Sequence, residues 1–222
     1  MKSNRLFSVL IFSGIFFFAS CKKENSQSSF KYKLTTTNRS NVVNRLESGN
    51  ITWTAGYASA NQVKFEAKNN SGTEVEYKTS VTQRIDLFAS LASAIGVITL
   101  PPGTYSEIEF KAELAPNNPD ATLELNGTFT SGATTTPVIF TVNSALEIKT
   151  EKNNVVISDN ASYTALTTFD LSRLTTGITE AMLNSAVKTS GKIIISASSN
   201  TGLYNMMLAN LDDCDEVEFD HD

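Results

Sequence analysis

Apolar and polar residues alternate along most of the chain, which is the pattern of β-strands that bury one face. In EIEFKAEL (107–114), Ile108 and Phe110 lie on one side and Glu107 and Glu109 on the other. A strand of this kind has one face on the core and one in water. The sequence therefore predicts a chain made mainly of strands. Other runs of strand character are KYKLTTT, RIDLF, VITL, ATLELNG, PVIFTV, ALEIK, NVVIS and KIIISAS.

The stretch QVKFEAKNNSGTEVEYK (62–78) predicts a hairpin. Its two apolar sets, in VKFEA and VEY, fall on the same face only if Asn69 pairs with Thr73. The loop then has three residues and ends at Gly72, which can adopt the left-handed conformation that closes such a turn. The hydrophobic pattern and the turn chemistry thus agree on one register.

The stretch NITWTAGY (50–57) places two aromatic residues, Trp53 and Tyr57, on one face of a predicted strand. Ile51 shares that face, which favours a position in the core. The alternative is a pair that faces a ligand, because aromatic rings stack on sugars in glycan-binding sandwiches.

The pattern changes after Thr168. ITEAMLNSAVKTSG (178–191) carries apolar residues at helical spacing, and Gly191 is predicted to cap that helix. Asn200 is predicted to open a second helix as its N-cap, with a β-branched strand between the two helices. The fold class predicted is mainly β: an antiparallel β-sandwich of the transthyretin or immunoglobulin type, with a C-terminal helix–strand–helix elaboration.

The first twenty residues predict a secretion signal peptide. Lys2 and Arg5 precede an apolar run at 6–19, which is shorter than the roughly 20 residues of a membrane-spanning helix. Small residues then precede Cys21. This arrangement resembles a bacterial lipobox, which implies that Cys21 carries diacylglycerol and a fatty acyl chain such as palmitate on its amino group. Cys21 is therefore the predicted membrane anchor.

Charge is distributed unevenly along the chain. The C-terminal tail (212–222) holds seven acidic residues and no lysine or arginine, whereas Cys21 to Leu211 holds 16 acidic and 16 basic residues. A neutral body lacks the concentrated basic surface of nucleic-acid-binding proteins. With Cys21 acylated, Cys214 is left without a disulfide partner. The predicted segments are a signal peptide (1–20), a lipidated polar tether (21–30), one sandwich-like domain (31–211) and an acidic tail (212–222).

The motifs GNITW, VKFEAK, IDLF, LPPGTY, TPVIF and NTGLYN occur in this order. The order is similar to that of the lipoprotein domains grouped as domain of unknown function 4382, which are common in Bacteroidetes-type bacteria. The resemblance covers about residues 45–210 and implies a sandwich-like domain of the cell envelope. It implies no catalytic residues. LPPGTY also resembles the turn and strand of transthyretin-like and adhesin B-type domains.

Few motifs point to catalysis. His221 is the only histidine, and the sequence contains no CxxC, phosphate-binding loop or dinucleotide fingerprint. Glu107 and Glu109 lie about 6.6–6.8 Å apart along one strand face, close to the carboxylate separation of inverting glycosidases. The favoured interpretation is a solvated strand face, and the alternative is a carboxylate-based glycan hydrolase.

The acidic tail offers the oxygen ligands that Ca²⁺ prefers, although runs of charge are more commonly solvated. The candidate Ca²⁺ ligands are Asp212, Asp213, Asp215, Glu216 and Asp220.

Taken together, the sequence features predict a non-enzymatic lipoprotein of the cell envelope, in the outer membrane. Its role is to bind a partner protein or glycan or to serve as a structural subunit, including adhesion or fimbria-associated roles. The side of the membrane it faces and its oligomeric state stay open.

Overall fold

The computed structural model describes residues 27–37, 51–69, 72 and 74–221. The predicted signal peptide and Cys21 lie outside these residues. None of the described helices is both long and apolar enough to span a membrane. The helices are α1 (Leu171–Leu174), α2 (Glu180–Asn184) and α3 (Thr201–Asn210), followed by a 3₁₀ turn (Leu211–Asp213). The strands are β1 (Ser28–Thr37), β2 (Ile51–Asn69), β3 (Glu74–Asp86), β4 (Ala94–Leu100), β5 (Gly103–Leu114), β6 (Leu123–Ser131), β7 (Thr134–Val142), β8 (Leu146–Ile157), β9 (Ser162–Asp170), β10 (Lys188–Thr189), β11 (Lys192–Ile195) and β12 (Asp215–His221).

These strands form two sheets, and the predicted mainly β, sandwich-like fold is confirmed. The smaller sheet has the order β12-β9-β1-β4. The larger has the order β10-β11-β7-β6-β2-β5-β8, with β3 also paired to β2. Most pairs are antiparallel, as expected, but β1 runs parallel to β9 and β11 runs parallel to β7.

Phe30 of β1 is central to the core between the sheets. Its ring centroid lies 6.4 Å from those of Phe65 and Phe110 in the larger sheet and 4.7 Å from that of Tyr163 in its own sheet. All four rings are buried. Burial of one such side chain stabilises a fold by about 1.5–3 kcal/mol, so this cluster is a main source of cohesion between the sheets.

The position of Phe30 corrects the predicted start of the domain. The sequence predicts that residues 28–30 belong to the polar tether, but they form the first part of β1 and pair with both β4 and β9. Phe30 continues the buried alternation of Tyr32 and Leu34. The domain therefore begins at Ser28, because one aromatic residue in register outweighs the polar composition around it.

A short chain of hydroxyl groups crosses the core. The Tyr32 hydroxyl lies 3.0 Å from Oγ1 of Thr167, which in turn lies 2.9 Å from Oγ1 of Thr150 in the opposite sheet. All three residues are buried. A buried hydroxyl without a partner is costly, so this chain satisfies the three groups together and connects the two sheets by polar contacts.

Strand β2 contains two bulges, and they correct the prediction for its aromatic residues. Its pairing with β6 slips between Trp53 and Ala55, and its pairings with β3 and β5 slip between Ala60 and Gln62. Each slip adds one residue to a two-residue period and so exchanges the buried and exposed faces. The prediction that Trp53 and Tyr57 share a face is therefore wrong. The buried positions of β2 are Trp53, Ala58, Ser59, Ala60, Val63, Phe65 and Ala67.

The hairpin of β2 and β3 has the predicted register. Lys68 pairs with Glu74 and Ala67 pairs with Val75, as expected for a loop of three residues. Gly72 has a φ of 82°, and its backbone N–H donates to the carbonyl of Asn69 at 3.0 Å. The left-handed glycine that closes the turn is confirmed.

The predicted helix over 178–191 is much shorter than expected. It ends at Asn184, and Gly191 instead occupies a two-residue hairpin turn between β10 and β11, with φ of 51° at Ser190 and 77° at Gly191. Asn200 precedes α3 as predicted, but its side chain does not cap the helix. That side chain bonds to the backbone of Val187 and Ile194, which ties the hairpin to α3.

The acidic tail is part of the sheet. Strand β12 pairs antiparallel with β9 along all seven of its residues. Cys214 is fully buried, and its carbonyl accepts the backbone N–H of Asp170 at 2.8 Å. The predicted boundary at residue 211 is therefore wrong, because the smaller sheet continues to His221.

Candidate functional site

The outer side of the larger sheet carries an ordered array of charges across β3, β2, β5 and β8, which we call the charged face. Backbone register aligns one glutamate from each strand in a row and one lysine from each strand in the next row. Successive residues on one strand face are about 6.7 Å apart and neighbouring strands about 4.8 Å apart. The glutamate row is Glu76, Glu66, Glu109 and Glu151, and the lysine row is Lys78, Lys64, Lys111 and Lys149.

The core side of the same strands sets this alignment. Phe65 pairs with Tyr77 on one side and with Phe110 on the other, and Phe110 pairs with Thr150. The ring centroids of Phe65 and Phe110 are 4.8 Å apart. A one-residue slip in the strand register would point these rings into solvent, so packing on the core side fixes which charges align on the outer side.

The rows place like charges side by side. Each directly opposed pair of like charges on neighbouring strands destabilises a sheet by roughly 0.2–1 kcal/mol. Contacts between the rows offset this cost. Lys64 contacts Glu66 and lies 3.5 Å from Glu76, and Lys149 lies 2.5 Å from Glu109 and 3.5 Å from Glu151. The two rows of the charged face together therefore form a neutral network of alternating charge.

Glu109 is the centre of this network. Its side chain is only 6% exposed, and both of its carboxylate oxygens contact an ammonium group, Oε1 that of Lys111 and Oε2 that of Lys149. Burial acts to raise the pKa of Glu109, but hydrogen bonds and charge from the two lysines outweigh it and hold the pKa below its ordinary value. The same contacts raise the pKa values of Lys111 and Lys149. Glu109 is thus a buried, permanently ionised carboxylate at neutral pH.

The two carboxylates predicted as hydrolase candidates lie in this face. Glu107, Glu109 and Glu151 have carboxylate oxygens within 4.8 Å of one another. The arrangement has the donor type for a hard cation, but the ammonium groups of Lys111 and Lys149 already contact Glu109. Among the described residues, Glu109 and Glu151 of this cluster are therefore engaged in ion pairs with lysines, which disfavours a metal between them.

The predicted aromatic pair is separated. Trp53 is 2% exposed and belongs to the core, which confirms the favoured interpretation for this residue. Tyr57 is half-buried on the other face, and the guanidinium of Arg84 lies 3.8 Å from its ring centroid. The Tyr57 hydroxyl accepts the backbone N–H of Ala121 at 3.2 Å. Because Trp53 is buried and Arg84 covers one side of the Tyr57 ring, the structure does not form the alternative, a two-ring surface for a sugar.

The tail candidates for Ca²⁺ lie on two different elements. Asp213 ends the 3₁₀ turn, is exposed, and accepts a hydrogen bond from Arg173 through its backbone carbonyl at 3.1 Å. Asp212 lies in the same turn, and Asp215, Glu216 and Asp220 lie in β12. The side chains of these four are outside the described part of the structure, so the calcium site stays a prediction.

Sequence reasoning identified Glu107 and Glu109 but missed the rows. The signal is present in the order of charges on the polar faces. In an antiparallel sheet, reversed order on neighbouring strands brings like charges together. That order is Lys-x-Glu in β2 (64–66) and β8 (149–151), and Glu-x-Lys in β3 (76–78) and β5 (109–111).

In comparisons with known proteins, no family model, curated protein or solved structure matches this chain.

Proposed function

We propose that the protein is a lipid-anchored protein of the cell envelope that acts by binding a partner through the charged face. The anchor is Cys21, in its lipobox-like setting. Only six residues (22–27) lie between Cys21 and Ser28, where β1 begins. The seven residue steps from Cys21 to Ser28 span at most about 25 Å, so an acylated Cys21 would hold the domain close to the membrane surface. The similarity in motif order to domain of unknown function 4382 lipoproteins supports the same assignment.

We assign the anchor to the outer membrane. Lys22 follows Cys21, whereas an aspartate at that place is associated with retention in the inner membrane of enteric bacteria.

The observation that carries the binding role is the alignment of like charges on the charged face. Opposite signs on neighbouring strands would stabilise the sheet better, and this chain instead uses a register with a local cost. Local arrangements that reduce stability, as this register does, are found mainly at functional sites. A surface with separate rows of both signs suits a partner that also presents both signs, such as a protein surface or a zwitterionic glycan.

The alternative, a carboxylate-based glycan hydrolase, fits the face less well. A general acid needs a carboxyl whose pKa is raised, so that it holds a proton at working pH. Lys111 and Lys149 instead hold the pKa of Glu109 below its ordinary value. Glu107 and Glu109 also come from one strand, whereas glycosidases bring carboxylates from both sides of the scissile bond. Binding is therefore the better-supported role for these residues.

The anchor is tested by lipid labelling of the full chain. Cells fed a palmitate analogue should label the wild-type protein, and Cys21→Ser should remove the label and release the mature protein from the membrane fraction. Cys214→Ser is the matched control, because it changes the only other cysteine and should leave both readouts unchanged. Labelling of Cys21→Ser at the wild-type level would overturn the proposed anchor.

A further inference from the structure

We propose that the partner of the charged face is a second copy of the same chain, bound face to face about a two-fold axis. The inference deepens the proposed binding function and rests on it. The two-fold axis lies in the interface, parallel to the rows and midway between them. Rotation about this axis places the glutamate row of each copy over the lysine row of the other. All eight row residues then meet the opposite charge.

The charges select this axis over the other simple arrangement. A two-fold axis parallel to the strands would place glutamate over glutamate and lysine over lysine. Such a contact would bury like charges against one another, which strongly disfavours association. In the favoured arrangement each strand lies over its own counterpart and runs in the opposite direction, so Glu76 meets Lys78 of the second copy and Glu151 meets Lys149. This is the self-complementary contact that a symmetric dimer requires.

The side chains of the rows are already arranged for such a contact. Lys64, Lys111 and Glu66 are about one-quarter exposed or less, although they lie on the outer side of the sheet. Their ion pairs within the chain hold them along the surface. Fixing long side chains in one conformation costs free energy on binding, and here the ion pairs within the chain already restrict these side chains before binding.

The flanking rows add no opposite-charge contact. In the favoured arrangement Lys68 meets Gln62 of the second copy, Glu74 meets Ser80, and Asn153 meets Glu147. Glu107 meets Glu113 of the second copy, and by symmetry this like-charge contact occurs twice in the dimer. The opposite-charge contacts between the two central rows outnumber these two contacts, so the face remains complementary to itself as a whole.

The size of the face predicts a weak dimer. Four strands about 4.8 Å apart and four rows about 6.7 Å apart cover roughly 500 Å² per copy, or about 1,000 Å² in total. This lies at the lower end of specific interfaces, and a contact made of ion pairs is screened by salt. Attachment of both copies to one membrane would raise their effective concentration and favour association.

The test is zero-length crosslinking of the acylated full chain in lipid vesicles, with carbodiimide coupling of lysine to glutamate. A mixture of ¹⁴N- and ¹⁵N-labelled protein separates links between copies from links within one copy. The proposal predicts mixed-isotope links of Lys78 to Glu76 and of Lys149 to Glu151. Their yield should fall by about tenfold when salt rises from about 0.05 M to about 0.5 M.

Charge reversal on the two edge strands provides the variant test. An acidic variant carries Lys78→Glu and Lys149→Glu, and a basic variant carries Glu76→Lys and Glu151→Lys. These positions are the more exposed ends of the rows. Neither variant should crosslink to itself, whereas a mixture of the two should crosslink at or above the wild-type level. Circular dichroism of each variant confirms that it is folded.

Self-association is overturned if folded wild-type protein gives no mixed-isotope links at low salt, or if the acidic and basic variants fail to pair. Links joining β3 of one copy to β8 of the other would overturn the proposed axis. The same crosslinking on Cys21→Ser protein at high concentration separates the two proposals. Links that persist there, together with lost lipid labelling of wild type, would overturn the anchor and leave the dimer intact.

Discussion

Glu109 shows how a single residue stabilises the charged face. Its folded pKa lies below the ordinary carboxyl value of 4.5, so ionisation of Glu109 stabilises the folded state above that pH. The stabilisation is lost as the pH falls below 4.5 and Glu109 takes up a proton. Glu109→Gln should lower the free energy of unfolding at pH 7 by about 1–3 kcal/mol, because Lys111 and Lys149 each lose a carboxylate contact.

Urea unfolding of wild type and Glu109→Gln at neutral pH and below pH 4.5 measures this effect. The difference between the two proteins should shrink as the pH falls. Glu113→Gln, on the same strand and face, is the matched control and should change stability by about 0.5 kcal/mol or less. A Glu109→Gln difference that is constant with pH would show that the carboxylate charge is not the stabilising feature.

Gly127 provides a second prediction at this scale. It pairs with Trp53, and a Cβ at residue 127 would lie 2.5 Å from the carbonyl oxygen of Thr52 and 2.9 Å from Cε3 of Trp53. Gly127→Ala should therefore lower the free energy of unfolding by about 1–3 kcal/mol through overpacking. Gly202→Ala in α3 is the control, since open space surrounds its Cβ position and alanine favours helix. Thermal melts in which Gly127→Ala matches wild type would contradict the observed packing of Trp53.

The elements differ in how far the sequence predicts them. The β2–β3 hairpin was predictable to the residue because its pattern and its turn are both local. The bulges of β2 were not, because one lies within its pairing with β6 and the other within its pairings with β3 and β5, and those strands come later in the chain. The β10–β11 hairpin was missed because its Ser190–Gly191 turn follows an apolar pattern of helical period.

Strand β12 carries the prediction for this scale. Because it forms the edge of the smaller sheet, deletion of 215–222 should expose β9 and remove a full set of strand pairings. With the predicted boundary at residue 211, the domain would tolerate loss of the tail. The structure instead predicts a loss of about 2 kcal/mol or more in the free energy of unfolding, with a greater tendency to aggregate.

Urea unfolding and light scattering of the truncated chain test this prediction. Glu218→Gln serves as the control, because Glu218 is exposed and the substitution removes a charge while keeping the strand. If truncation leaves the unfolding midpoint unchanged, β12 does not contribute to the stability of the sheet.

At the scale of the whole molecule, the hydrophobic pattern predicted the fold class and the N-terminal residues suggested the proposed anchor, but neither predicted the charged face. The rows depend on pairing between strands that are far apart in sequence, such as β5 with β8. Only the register of the assembled sheet brings Glu109 beside Glu66 and Glu151. The tail, where the sequence concentrated acidic charge, is instead an edge strand.

The central claim, that the membrane-held domain binds through the charged face, is tested most directly by lysine acylation read by mass spectrometry. Reactivity is compared between intact envelopes and purified protein, so that intrinsic differences between lysines cancel. The account predicts that Lys78 and Lys149 are protected several-fold in envelopes, while Lys188 and Lys192 on the β10–β11 hairpin are unchanged. Equal reactivity of all four lysines in the two preparations would contradict it.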